Sequence, residues 1–130
     1  MHQLDPDVKR APRAVAALAA ILLMWPAIAC AHVFPAAEAP KAGETLNSAP
    51  REVTITFDGP IESLFATVNV IDDKGRDETA GPVTVGADHR AASAPLKPLS
   101  PGDYDVKWGV VAEDGHRTEG SYEFTVAGAK

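Results

Sequence analysis

Sulfur is scarce in this 130-residue sequence, with one cysteine, Cys30, and two methionines, Met1 and Met24. A lone cysteine cannot pair within its own chain, which excludes a disulfide-stapled scaffold. Cations are also short. Twelve Lys and Arg stand against 18 Asp and Glu, a formal charge of −6. Phosphate binding needs clustered Lys and Arg, so this balance argues against nucleic acid as the main partner. Helical periodicity is missing after residue 32, which excludes a helical bundle or coiled coil. The length allows one ordinary domain, and a second would be too small to bury its own core.

The first 31 residues are a different material from the rest. Lys9, Arg10 and Arg13 give a positive start, and an apolar run follows from Ala14 to Trp25. Pro26 then leads into small residues, and Ala29-Cys30-Ala31 fits the small-x-small pattern that a signal peptidase accepts. A signal peptide over residues 1–31 is therefore expected, followed by one domain over 32–130. Two rivals compete with it. A membrane span needs ~20 apolar residues, whereas the stretch from Ala14 to Ala31 is interrupted by Pro26. Lipid attachment at Cys30 would follow Ala27-Ile28-Ala29, but such sites usually carry a leucine-like residue where Ala27 stands. No twin-arginine pair occurs in the charged region, so export of the unfolded chain is the simpler route.

Cleavage after Ala31 would leave 99 residues with nine basic and 16 acidic side chains, a net charge of −7. All sulfur would be lost with the leader, so no thiolate or thioether remains for a metal. Such a disulfide-free exported domain suits a periplasm without depending on its oxidising chemistry.

The remaining sequence alternates. Val53-Thr54-Ile55-Thr56-Phe57 has the period of a half-buried strand, as do Ala66, Val68 and Val70. Asp72-Asp73-Lys74-Gly75 supplies turn chemistry. Val83 and Val85 form a short run, and Ala91 to Leu96 another that Pro95 is expected to hold to an edge. Tyr104, Val106, Trp108 and Val110 share one face of a longer strand, and Tyr122, Phe124 and Val126 one face of the last. Short strands at this spacing predict an all-β sandwich or barrel. Leu99-Ser100-Pro101-Gly102-Asp103-Tyr104 reads as the tyrosine corner of a Greek-key β-sandwich, immunoglobulin-like or cupredoxin-like, and favours the sandwich. The first ~20 residues after the leader, rich in Ala, Pro and Glu, are expected to lie as an extended arm.

Two features carry chemistry. Cleavage would give His32 a free α-amine of pKa ~7.7–8.0, whose proton a metal displaces readily. Amine and imidazole on one residue then chelate a single ion. The second feature is Asp114-Gly115-His116, between the last two strands. Residues two apart on an extended segment point to one side, so carboxylate and imidazole can converge, with Gly115 allowing the bend. Three nitrogens and one oxygen in a tetragonal arrangement suit Cu(II), whereas zinc prefers a tetrahedron and Ca²⁺ or Mg²⁺ prefer oxygen. Asp-Gly-His alone is chiefly a turn signal. A peptidase site directly before a histidine is what makes the combination specific.

With these residues in view, the sequence resembles the CopC family of periplasmic copper-binding proteins. The resemblance spans His32, the segment Ala39-Pro40-Lys41-Ala42-Gly43-Glu44-Thr45-Leu46, and the run Ala49 to Phe57. It continues through Leu99 to Trp108, Val111-Ala112-Glu113-Asp114-Gly115-His116, and Gly120 to Val126. It implies a Greek-key sandwich holding one Cu(II) per chain through the amine and imidazole of His32, Asp114 and His116. It also implies copper homeostasis or resistance as the role, with sequestration or delivery to an inner-membrane CopD-like copper transporter. The chain departs from the family in lacking the methionines with which some members hold Cu(I). At Gly59, with Asp58 and Glu62 nearby, some members place a copper-approaching glutamate; Val33 stands where relatives often have a small residue or proline.

The other polar groups read as ordinary surface. His89, in Gly86-Ala87-Asp88-His89-Arg90, fits a polar turn. Asp72, Asp73, Asp77 and Glu78 lack the spacing of a calcium loop and fit a solvated hairpin. Trp108 is expected in the core. No interface is marked, so a monomer is expected. The competing functions are a metal-free exported interaction module and a small copper oxidase, the latter disfavoured because Asp114 would stand where dioxygen must bind.

Overall fold

A computed structural model describes residues 32–128; the signal peptide expected over 1–31 lies outside the described residues. Eight strands form two four-stranded sheets packed face to face. One sheet has the order β1-β3-β6-β5, with β1 Pro35–Ala39, β3 Glu52–Phe57, β5 Thr84–Val85 and β6 Ala91–Pro95. The other has the order β2-β8-β7-β4, with β2 Thr45–Leu46, β4 Thr67–Asp72, β7 Gly102–Val111 and β8 Arg117–Val126. The chain crosses repeatedly between the sheets, the connectivity of the expected Greek-key sandwich. Among the described residues no helix is long and apolar enough to cross a membrane.

Period-two alternation builds the core. Val53, Ile55 and Phe57 of β3 face inward and are buried, as are Val68 and Val70 of β4. Tyr104, Val106, Trp108 and Val110 of β7 and Tyr122, Phe124 and Val126 of β8 complete the opposing wall. Ala92 and Ala94 on β6 are fully buried in the same core. Phe57 and Trp108 meet edge to face across the sheets, with ring centroids 5.4 Å apart. The Tyr104 hydroxyl donates to the Ser100 carbonyl, so the expected tyrosine corner is present.

Two expectations change. The segment after residue 32 is extended but not a free arm. Its Pro35–Ala39 stretch pairs antiparallel with β3, and Thr45–Leu46 pairs parallel with β8. Alanine- and proline-rich edge strands are held by backbone bonds and show no side-chain period. Nor is β6 an edge strand, since it lies between β3 and β5. Pro95 is tolerated there because it is the last residue of β6, opposite Glu52, and the two-residue β5 reaches only Ala92 and Ser93.

The turns follow their chemistry. Asp72 accepts from the backbone N–H groups of Lys74 and Arg76 at 2.9 and 2.8 Å and from Arg76 Nε at 2.7 Å. That carboxylate ties a hairpin, as the sequence implied. His89 closes the turn before β6 by donating its N–H to the Gly86 carbonyl at 2.9 Å.

Candidate metal centre

Three segments meet at one end of the sandwich. The first is the loop Ala112–His116 between β7 and β8, whose ten-residue strands run in continuous register from Gly102 opposite Val126 to Val111 opposite Arg117. That long ladder fixes both roots of the loop. Within it, Gly115 N–H donates to the Ala112 carbonyl at 2.9 Å, and Ala112 N–H to the His116 carbonyl at 2.9 Å. The turn requires φ of +90° at Gly115, a conformation in which a side chain is strained.

The second segment follows β3. Ile61 bridges to Ala112, and Glu62 N–H donates to the Val111 carbonyl at 2.8 Å, so residues 58–62 lie against the loop. The third is the start of the described chain. Phe34 N–H donates to Asp58 Oδ1 at 2.9 Å, and Asp58 N–H donates back to the Phe34 carbonyl at 2.9 Å. Between these segments lies an open cleft of about 330 Å³, lined by His32, Asp58, Gly59, Glu113 and Asp114 among others.

All three residues singled out from the sequence come to this end. The imidazoles of His32 and His116 lie edge to face, with centroids 5.5 Å apart. A metal–nitrogen bond of about 2 Å to each ring puts the centroids of two imidazoles sharing an ion at most about 6 Å apart. The observed spacing lies within that limit. Asp114 is turned onto His116. Its Oδ1 accepts from the His116 backbone N–H at 3.0 Å, and its Oδ2 lies 2.9 Å from His116 Nδ1. These bonds, the backbone one foremost, hold the Asp114 carboxyl below the usual carboxylate range; the His116 and His32 charges add to the effect and desolvation opposes it. With Nδ1 engaged by the carboxylate, Nε2 is the nitrogen of His116 left to accept a ligand bond. Both groups are accessible, the His116 side chain being 63% exposed.

Among the described residues, no three His, Cys, Asp or Glu side chains converge as a ready-made ion cage. The donor set proposed from the sequence also counts a main-chain amine, which no cluster of side chains can supply. His89, by contrast, is bound into its own turn.

Sequence reasoning missed the residues that hold the arm carrying His32. Val33 is 4% exposed and belongs to the core, although it lies outside every strand. Its Cγ1 would lie 2.8 Å from a Cβ at Gly59. An apolar residue directly after His32 is the one available signal, and it does not reveal the residue opposite.

Known proteins share both the sequence and the architecture. Residues 36–127 match the CopC domain. The protein YobA of Escherichia coli K12 is 31% identical over 105 residues, covering 79% of this chain and 81% of YobA. The copper transport protein CutJ of Bacillus subtilis is 29% identical over 110 residues, which are 83% of this chain but 20% of CutJ. In structure, CopC from Methylosinus trichosporium OB3b is similar with a TM-score of 0.71 at 29% identity, covering 76% of this chain and 97% of that one. PcoC, a methionine-rich copper resistance protein from Escherichia coli, gives 0.65 at 27% identity, covering 74% and 99%.

Proposed function

This chain belongs to the CopC domain family, and from that premise we propose that it is an exported copper-binding protein of the periplasm, carrying one Cu(II) as cargo. Residues 1–31 act as a signal peptide, and cleavage after Ala31 exposes the α-amine of His32. That amine, the His32 imidazole, the His116 imidazole and Asp114 form the donor set. The observation that carries this reading is the edge-to-face approach of His32 and His116 at 5.5 Å, from opposite ends of the domain sequence.

The chain's own residues set what the site does. Asp114 rests against His116 Nδ1 at 2.9 Å in the ion-free chain, and its carboxylate rotates from that nitrogen to the ion when it serves as a ligand. The shallow, exposed cleft lets an ion enter and leave, as a carrier requires. From residue 32 onward the sequence contains no methionine or cysteine, so soft ligands that select Cu(I) are missing and the nitrogen-rich set favours Cu(II). The role that follows is sequestration of copper or its delivery to an inner-membrane transporter of the CopD type. CutJ supports the delivery arm, since there a region similar to this chain is a fifth of a longer copper transport protein. The protein is a binding protein and not an enzyme, and it acts as a monomer.

Electron paramagnetic resonance of Cu(II) bound to the processed chain tests the site. A signal with three nitrogen donors is expected, and it should be lost when one extra residue precedes His32. An unchanged signal in the extended chain would remove the amine from the ligand set and with it the proposed site.

A further inference from the structure

We infer that Val33 and Gly59, with Asp58, form a latch that positions His32 beside His116 before any ion binds; the latch deepens the copper reading and rests on it. Val33 is the residue next to His32, and it is 4% exposed while His32 itself is exposed. Burial of a valine shifts an equilibrium by roughly ten- to hundredfold, so the arm is pinned one residue from the histidine.

The opposing residue is fitted to that plug. Gly59 is not among the positive-φ glycines, so its backbone makes no demand for glycine. What it supplies is space. A Cβ there would approach Val33 Cγ1 to 2.8 Å, closer than side-chain carbons pack. Glycine at 59 and valine at 33 are therefore complementary in volume.

Asp58 closes the latch on the other side of the plug. It exchanges two hydrogen bonds with the Phe34 backbone, both at 2.9 Å, and its own carbonyl accepts from Arg90 Nη1 at 3.1 Å. Val33 and Phe34 are thus ordered by folding. Ordering one residue's backbone costs about tenfold or more in an equilibrium constant. An ion captured by an unlatched arm would meet that cost at binding. Val33, Asp58 and Gly59 are positioning residues, acting on copper through His32.

The test uses the processed chain and three variants, Gly59→Ala, Val33→Ala and the two combined. In metal-free protein, hydrogen exchange at the Phe34 amide reports the latch directly; Gly59→Ala should speed it about tenfold or more by expelling the plug. Cu(II) affinity, read by competition with a chelator, should fall about tenfold in Gly59→Ala, with a changed paramagnetic signal. In the Val33→Ala background the methyl added by Gly59→Ala meets no Cγ1 and should weaken binding no further. Should Gly59→Ala fold poorly, Asp58→Ala reads the same latch, since it removes the acceptor of the Phe34 N–H, and the same loss of protection and affinity is expected. Unchanged exchange and affinity in Gly59→Ala, or an equal loss in both backgrounds, would overturn the latch. A wild-type chain that shows Phe34 protection but takes up no Cu(II) would instead refute the copper reading.

Discussion

A methyl group added at position 120 tests how the sandwich holds its buried tryptophan. Gly120 of β8 stands opposite Trp108 of β7, and the indole lies across the space that a side chain would fill. A Cβ at Gly120 would come within 2.6 Å of Trp108 Cζ2 and 3.0 Å of Cε2. Two effects compete. Replacing a strand glycine by alanine gains roughly 0.5–1 kcal/mol by removing flexibility from the unfolded chain. Overpacking a core costs about 1–3 kcal/mol. The indole cannot swing clear, being 8% exposed and braced against Phe57 at 5.4 Å, so the cost wins. Gly120→Ala should therefore destabilise by about 1 kcal/mol and lower the melting temperature by about 4–8 °C for a domain of this size. Thermal unfolding followed by circular dichroism measures this. In the chain beginning at His32, Trp108 is the sole tryptophan, so its near-ultraviolet signal should change as well. In a Trp108→Phe background, most of the added cost should vanish, a coupling of about 0.5–3 kcal/mol. A melting temperature at or above wild type, or the same loss in both backgrounds, would refute the packing argument.

Three further outcomes are expected. Tyr104→Phe deletes the hydroxyl that bonds the Ser100 carbonyl; the loss of about 1 kcal/mol should lower the melting temperature by about 4–8 °C, and no change would mean the corner contributes nothing. Tyr122→Phe should be neutral or slightly stabilising, because that hydroxyl is buried without a hydrogen-bond partner among the described residues and burial raises its pKa; a fall of several degrees would show a partner for it. Asp72 is held at about 2, below its ordinary 3.8, chiefly by the Arg76 backbone N–H, with desolvation opposing and the Arg76 guanidinium and Lys74 N–H assisting. A depressed carboxyl contributes stability that is fully present above 3.8 and is lost as pH falls toward about 2. Asp72→Asn should thus lie below wild type in melting temperature at neutral pH and approach it between these two values; a gap independent of pH would refute the assignment.

Much of the architecture was written in local pattern. The inward sets Val53-Ile55-Phe57, Tyr104-Val106-Trp108-Val110 and Tyr122-Phe124-Val126 declare themselves through a period of two, because the pleat sends alternate side chains to opposite faces. Tyr104 declared its corner, and Asp72 its hairpin, through chemistry confined to a few neighbouring residues. The edge strands Pro35–Ala39 and Thr45–Leu46 carry no such sign. Their pairing depends on backbone groups that every residue carries, and on neighbours far away in the chain. The inner place of β6 escaped for a related reason, since Pro95 excludes a position only where a partner strand reaches it.

The site divides in the same way. Which groups are proposed to take Cu(II) was legible in the sequence alone, through the absence of sulfur after residue 32, a histidine directly behind an expected cleavage signal, and an Asp-Gly-His turn. Those are properties of residue type and short spacing. That His32 and His116 lie 5.5 Å apart, that Asp114 turns onto His116, and that Val33 fills the space Gly59 leaves were decided by tertiary structure. Each joins segments, or sets a rotamer, through the packing of two sheets and the loops at their end. A chain can specify its donors one residue at a time, but the distances between donors are set only when the core that carries them closes.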